Sequence, residues 1–210
     1  MDESDRPASE EPEGSSTSSQ QVRIEHVTAR VLPRVSGGAF STGVIVMGGG
    51  TEFALDFLQS VGHPPQVAAR VIMPHAALPQ FIDALRKNLE MYSQRFGKPP
   101  ELPRAPAGRT PSVQELYDDL KFPDDLLGGS YANGVVISHT PAEFKFDFVA
   151  RLFPHPAVTC RVFLAAPQVP RMLESMISAH EQFRQRLQPP RGGAEPPPDP
   201  PGPAPPPGGG

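Results

Sequence analysis

Glu52-Phe53-Ala54-Leu55-Asp56-Phe57 returns 91 positions later as Glu143-Phe144-Lys145-Phe146-Asp147-Phe148. Each copy alternates with a period of two. Phe53, Leu55 and Phe57 share one face opposite Glu52, Ala54 and Asp56, and Phe144, Phe146 and Phe148 share one face opposite Glu143, Lys145 and Asp147. That is the pattern of a half-buried strand. Working outward, the same register carries residues 37–96 onto residues 128–187 without a gap, with 16 identities in 60 positions. Among them are Gly38/Gly129, Gly43/Gly134, Val67/Val158, Arg70/Arg161, Pro79/Pro170 and Arg95/Arg186. Composition alone gives only a handful of coincidences, so the chain reads as two units of one build, each small enough to need a packing partner.

Within each unit the period changes once. Residues 43–47 and 134–138 are short β-rich runs. After the alternating hexapeptide comes a third strand, over residues 67–73 and 158–164, whose apolar sets are Val67, Ala69, Val71, Met73 and Val158, Cys160, Val162, Leu164. Ile72 and Phe163 on the opposite side imply that it too is partly covered. The period then becomes 3.6: Leu78, Phe81, Ile82, Leu85, Leu89, Tyr92 and Phe96 form one helical stripe, and Val169, Met172, Leu173, Met176, His180, Phe183 and Leu187 the other. Each unit is therefore expected to be an antiparallel meander of three or four strands followed by one amphipathic helix, giving an α+β protein. Residues 22–35 alternate well enough to add a strand to the first sheet.

The flanks differ in composition. Residues 1–21 form an acidic, Ser-rich tail and residues 189–210 a Pro/Gly tail, both expected to be disordered because little in them offsets ordering entropy. Repeat one then spans 22–97, a Pro-rich linker 98–111, and a short helix with repeat two 112–188. Ser112 is the expected N-cap of that helix, which carries Val113, Leu116, Tyr117 and Leu120 at helical spacing.

The formal charge of -4 comes from the tails. Residues 1–22 carry six acids and one base, and residues 189–210 carry Glu195 and Asp199 against Arg191, which leaves +2 on residues 23–188. A near-neutral core lacks the clustered Lys and Arg of a phosphate-binding surface, so no nucleic-acid partner is expected. One cysteine, Cys160, allows neither an internal disulfide nor a thiolate metal site and fits a reducing compartment, with the cytoplasm as the expected location. No basic start followed by an apolar run, and no apolar stretch long enough for a span, argues for a signal peptide or a membrane partner.

The run Tyr131-Ala132-Asn133-Gly134-Val135-Val136-Ile137-Ser138-His139-Thr140-Pro141-Ala142-Glu143-Phe144, closing with Asp147-Phe148, resembles the core of the bacterial family catalogued as domain of unknown function 3467. The strand-helix half of that pattern is closer in the first copy, at Ala69-Arg70-Val71-Ile72-Met73-Pro74-His75-Ala76, then Leu85, Asn88-Leu89, Tyr92 and Arg95-Phe96-Gly97. Members are usually short and single-copy, so the resemblance implies a tandem, fused form. A fused pair often replaces a homodimer and suggests a pseudo-twofold core. The resemblance implies fold and kinship and assigns no activity.

No catalytic constellation emerges. Asp56 with Arg70, and Asp147 with Arg161, sit on polar faces of adjacent strands; a cross-strand ion pair outweighs a ligand clamp. His26, His63, His75, His139, His155 and His180 have no metal-ligand spacing, so neither a metal nor another cofactor is expected. His139 belongs to the family-like motif, but its counterpart is Gly48. Gly48-Gly49-Gly50 precedes a strand, whereas a phosphate loop must open a helix, so it reads as a hairpin turn. Cys160 reads as a core thiol. These features point to a non-catalytic protein-binding or assembly module, capable of self-association, with Tyr131, Asn133 and His139 as candidate contact residues. A holdase-like chaperone or export factor is the alternative, and an enzyme ranks third.

Overall fold

A computed structural model of the chain describes residues 21–24, 27–103, 112–152 and 154–187. The expected acidic tail (apart from Gln21), residues 104–111 of the linker and the Pro/Gly tail lie outside the described residues. In chain order come strands β1 (Gln21–Ile24), β2 (Val27–Val31), β3 (Ala39–Ser41), β4 (Gly43–Gly48), β5 (Glu52–Gln59) and β6 (Gln66–Pro74). Helices α1 (Leu78–Phe96) and α2 (Val113–Asp118) follow, then β7 (Ser130–Tyr131), β8 (Gly134–His139), β9 (Glu143–Ala150), β10 (Ala157–Ala165) and α3 (Val169–Leu187).

The fold is mixed α+β with two sheets. One has the order β4-β5-β6-β7; the other has the order β1-β2-β10-β9-β8, with β3 pairing β10. Strands β4 to β6, and β8 to β10, are antiparallel neighbours, as the alternating runs require. The turns between the first two strands of each set close by Gly49 N–H donating to Glu52 O and Thr140 N–H donating to Glu143 O. Gly97, at φ 83°, ends α1 in a conformation that favours glycine.

The apolar faces meet in one core. Phe53, Leu55 and Phe57 from one sheet, Phe144, Phe146 and Phe148 from the other, and Leu78, Phe81, Leu85, Met172 and Met176 from the two long helices are all buried in it. The α3 stripe differs from expectation at its end: Ala179 takes the buried place beside half-buried His180, and Leu187 is exposed. The α2 helix is also shorter than the helical spacing implied. Its start is as expected, because the Ser112 hydroxyl accepts from Glu115 N–H while the Glu115 carboxylate accepts from Ser112 N–H, a capping box.

Residues 22–35 do not join the first sheet. β2 pairs in parallel with β10, through Ala157↔Arg30 and Val158↔Val31, and so extends the second. The bridge Gln66↔Lys121 lies on the other sheet, with both residues displaced by 91 from that pairing. The same relation holds at the two shortest strands: β3 pairs with β10 through Val162↔Ala39, and β7 pairs with β6 through Val71↔Ser130. Each short strand therefore adds to the sheet that does not contain the strand following it in the chain.

Candidate functional site

Asp56 faces Arg70 and Asp147 faces Arg161 in the strand registers, and both pairs close as two-pronged forks. Arg70 donates from Nε and Nη2 to the two oxygens of Asp56, each at 2.7 Å; Arg161 donates to Asp147 at 2.5 and 3.2 Å. Although they lie on the polar faces of their strands, these pairs are buried. Both carboxylates have no exposed surface, and the arginines keep 16% and 8%. The alternating face that carries them is covered by chain arriving from elsewhere. Over Arg70 lie Phe122, whose ring centre is 4.3 Å from the guanidinium, and Tyr117, whose hydroxyl donates to Asp56. Arg70 Nη1 then donates to Leu127 O at 3.2 Å, while Arg161 Nη1 donates to Ser36 O at 2.9 Å.

These carbonyls precede Gly38 and Gly129, which have φ of 71° and 64°. A Cβ on Gly38 would sit 2.5 Å from the Phe163 ring, and one on Gly129 would sit 2.8 Å from Arg70 and Ile72. The backbone thus presses directly on the strand bearing the arginine. The hydrogen bond to Asp56 holds the Arg70 guanidinium above its ordinary pKa, against the opposing effect of burial. Burial first, then Asp56, pushes the Tyr117 phenol well above its usual range. Each ion pair therefore fastens an incoming segment to a sheet and spends its donors on that task.

Two histidines occupy aromatic boxes. His139 packs on Phe144 at 5.1 Å and Tyr92 at 5.6 Å between ring centres; His75 packs on Phe183 at 3.6 Å and Phe53 at 4.9 Å. His139 Nδ1 and His75 Nε2 are buried without a hydrogen-bond partner. Burial first, and Arg95 second, lowers the His139 pKa. Among the described residues no carboxylate hydrogen-bonds to either imidazole, an arrangement a general base would need to be oriented. His75 was not singled out by sequence, and its spacing offered no signal.

A groove runs between α1 and β8, the last strand of its sheet. Its volume is about 360 Å³, and Phe81, Ala84, Val135 and Ile137 give it an apolar floor with Asn88 and Arg151 at the rim. Asn133 also lines it, but its side chain is committed to its own turn, where Oδ1 accepts from Arg151 N–H at 2.8 Å. Tyr131, 42% exposed, stands on β7 beside Ile72 and its carbonyl accepts from the Thr159 hydroxyl. The three residues singled out by sequence are thus not gathered into one site. Among the described residues no group of three His, Cys, Asp or Glu side chains could hold a metal ion. No helix among them is long and apolar enough to cross a membrane.

A family model described as "Protein of unknown function (DUF3467)" matches residues 1–99. Over those residues the chain is similar to that family. The DUF3467 match takes in β1 to β6 and α1, together with the Asp56–Arg70 fork and the aromatic box of His75. No curated protein and no solved structure matches the chain.

Proposed function

We propose that this chain is two fused copies of the DUF3467 domain, joined as a strand-exchanged pseudo-dimer, and that it serves as a non-catalytic protein-binding or assembly module. The fused-pair reading is supported by contacts that recur at an offset of 91: the parallel registers of β3 and β7, both ion-pair forks, and the carbonyls of Ser36 and Leu127 that cap them. Exchange of this kind makes each half complete only with the other. The binding reading is carried by one observation, the terminal strand β8 beside a groove on α1 that has an apolar floor and a polar rim. A strand edge supplies main-chain hydrogen bonds to an incoming extended segment, and the groove supplies side-chain selectivity.

The test is affinity capture of the full chain from its native cells beside an Ala84→Arg variant, which fills the groove from a half-buried helix position. One stoichiometric protein captured by the parent and lost in the variant is the expected result. The alternative, a holdase-like chaperone or export factor, draws on exposed Phe40 and Tyr131 at corresponding positions of the two halves. It predicts instead a broad spread of unfolded clients, captured equally by both forms. The near-neutral core argues against a nucleic-acid partner, and the reducing setting implied by one buried thiol argues for a cytoplasmic protein.

A further inference from the structure

We propose that the groove between α1 and β8 is occupied by this chain's own segment directly after α3, residues 188–195. The inference rests on the reading of that groove as a docking place for extended chain, with the tail holding it until a partner segment displaces it.

The counterpart groove, between α3 and β4, identifies the occupant. It is lined by Gly43, Val44 and Met172, which stand 91 positions from Gly134, Val135 and Phe81, and its open volume is smaller, about 210 Å³. The chain leaving α1 comes back across this end of α3. Arg171 Nη2 donates to Leu102 O at 3.1 Å and to Pro103 O at 2.6 Å, and Leu102 is half-buried. Arg171, at the edge of that groove, thus already holds the Pro-containing segment that follows the opposite helix.

The two long helices are antiparallel neighbours. Late in α3, Phe183 packs on His75 and Phe53, just ahead of the first residue of α1. Early in α3, Arg171 meets the chain that has just left α1. Chain leaving α3 therefore departs beside the α1/β8 groove, as chain leaving α1 departs beside the other. On α1 the groove extends from Ala77 to Asn88, about 17 Å at the helical rise, which about six residues of polyproline-like chain would span. The sequence there, Gln188-Pro189-Pro190-Arg191-Gly192-Gly193-Ala194-Glu195, resembles Lys98-Pro99-Pro100-Glu101-Leu102-Pro103 in following a helix with paired prolines. Gln80 occupies the place of Arg171; its amide donates to Ala76 O at 3.5 Å and keeps a second N–H for a carbonyl of incoming chain, and Arg151 at the rim is opposite in charge to Glu195.

Hydrogen exchange read by mass spectrometry tests this on the full chain and on a form ending at Leu187. Truncation should raise exchange several-fold in residues 134–139 and 77–88 while leaving β4 and α3 unchanged, and a synthetic peptide of residues 188–203 should restore the protection. In the full chain, Ala84→Arg should give the same loss without truncation. Unchanged exchange on truncation overturns the proposal, as does protection that grows with protein concentration, which would assign the groove to a second copy. If the tail docks but Ala84→Arg captures the same partner as the parent, the binding role of the groove fails while its occupancy by the tail stands.

Discussion

Phe57 and Phe148 meet ring to ring at 5.5 Å, and they stand 91 residues apart in the register that carries residues 37–96 onto 128–187. Both are fully buried, and Phe81 packs edge-on against Phe148 at 5.6 Å. The contact joins the two sheets at the centre of a single core. Either Phe57→Ala or Phe148→Ala should cost about 3–5 kcal/mol of stability in denaturant titration. Because the rings touch, the double variant should lose less than the sum, by about 0.5–1.5 kcal/mol.

The buried forks should be costly to break. Asp147→Ala leaves the Arg161 guanidinium, 8% exposed, beside a vacated carboxylate position, with an expected loss of about 3–5 kcal/mol. Asp56→Ala should weaken the protein in the same way and also release Tyr117, readable as a shift of its phenolic titration back toward the ordinary value.

At Gly129 an alanine meets both a positive φ and the Arg70 and Ile72 side chains. The backbone conformation alone costs about 1–2 kcal/mol, and the contact adds to it. Gly38→Ala should behave alike. Gly62, where a Cβ would meet nothing, should tolerate alanine with no comparable loss of melting temperature.

His139 contributes a pH dependence of definite sign. Its folded pKa is lowered, so the unfolded chain binds the proton more readily. Its contribution is complete above the unfolded value of about 6.5 and is lost as pH falls below it through the folded pKa. His139→Phe, which suits the ring box of Tyr92 and Phe144, should flatten the pH-stability curve in that range.

Burial first, then Asp147, pushes the Cys160 thiol up to about 12. A thiol reagent at pH 8 should therefore label the native protein at least about 100-fold more slowly than the denatured chain.

The strands and long helices were legible because their periods are imposed by the core they face. Phe53, Leu55 and Phe57 can share a buried face only at a spacing of two, and Leu78, Phe81 and Leu85 only at helical spacing. The pairing of β3 with β10 and of β7 with β6 was not legible. β3 and β7 have three and two residues, too few to carry a period, and pairing Ser130 with Val71 of the other half satisfies the same local pattern as pairing within one half. The same blindness placed residues 22–35 on the wrong sheet. The burial of Asp56 and Asp147 was not legible either, because alternation reports which face a side chain takes and not what later covers it. Tyr117 and Phe122, aromatic residues in the segment between the halves, were the available sign of that cover.

In the proposed fused pair neither half is complete alone. A protease site placed within residues 104–111 and cleaved in the folded protein tests it directly by native size-exclusion chromatography. Strand exchange predicts that the cut chain elutes with the uncut protein of 22.6 kDa and that its halves separate only on unfolding. Two folded halves eluting separately under native conditions would contradict it.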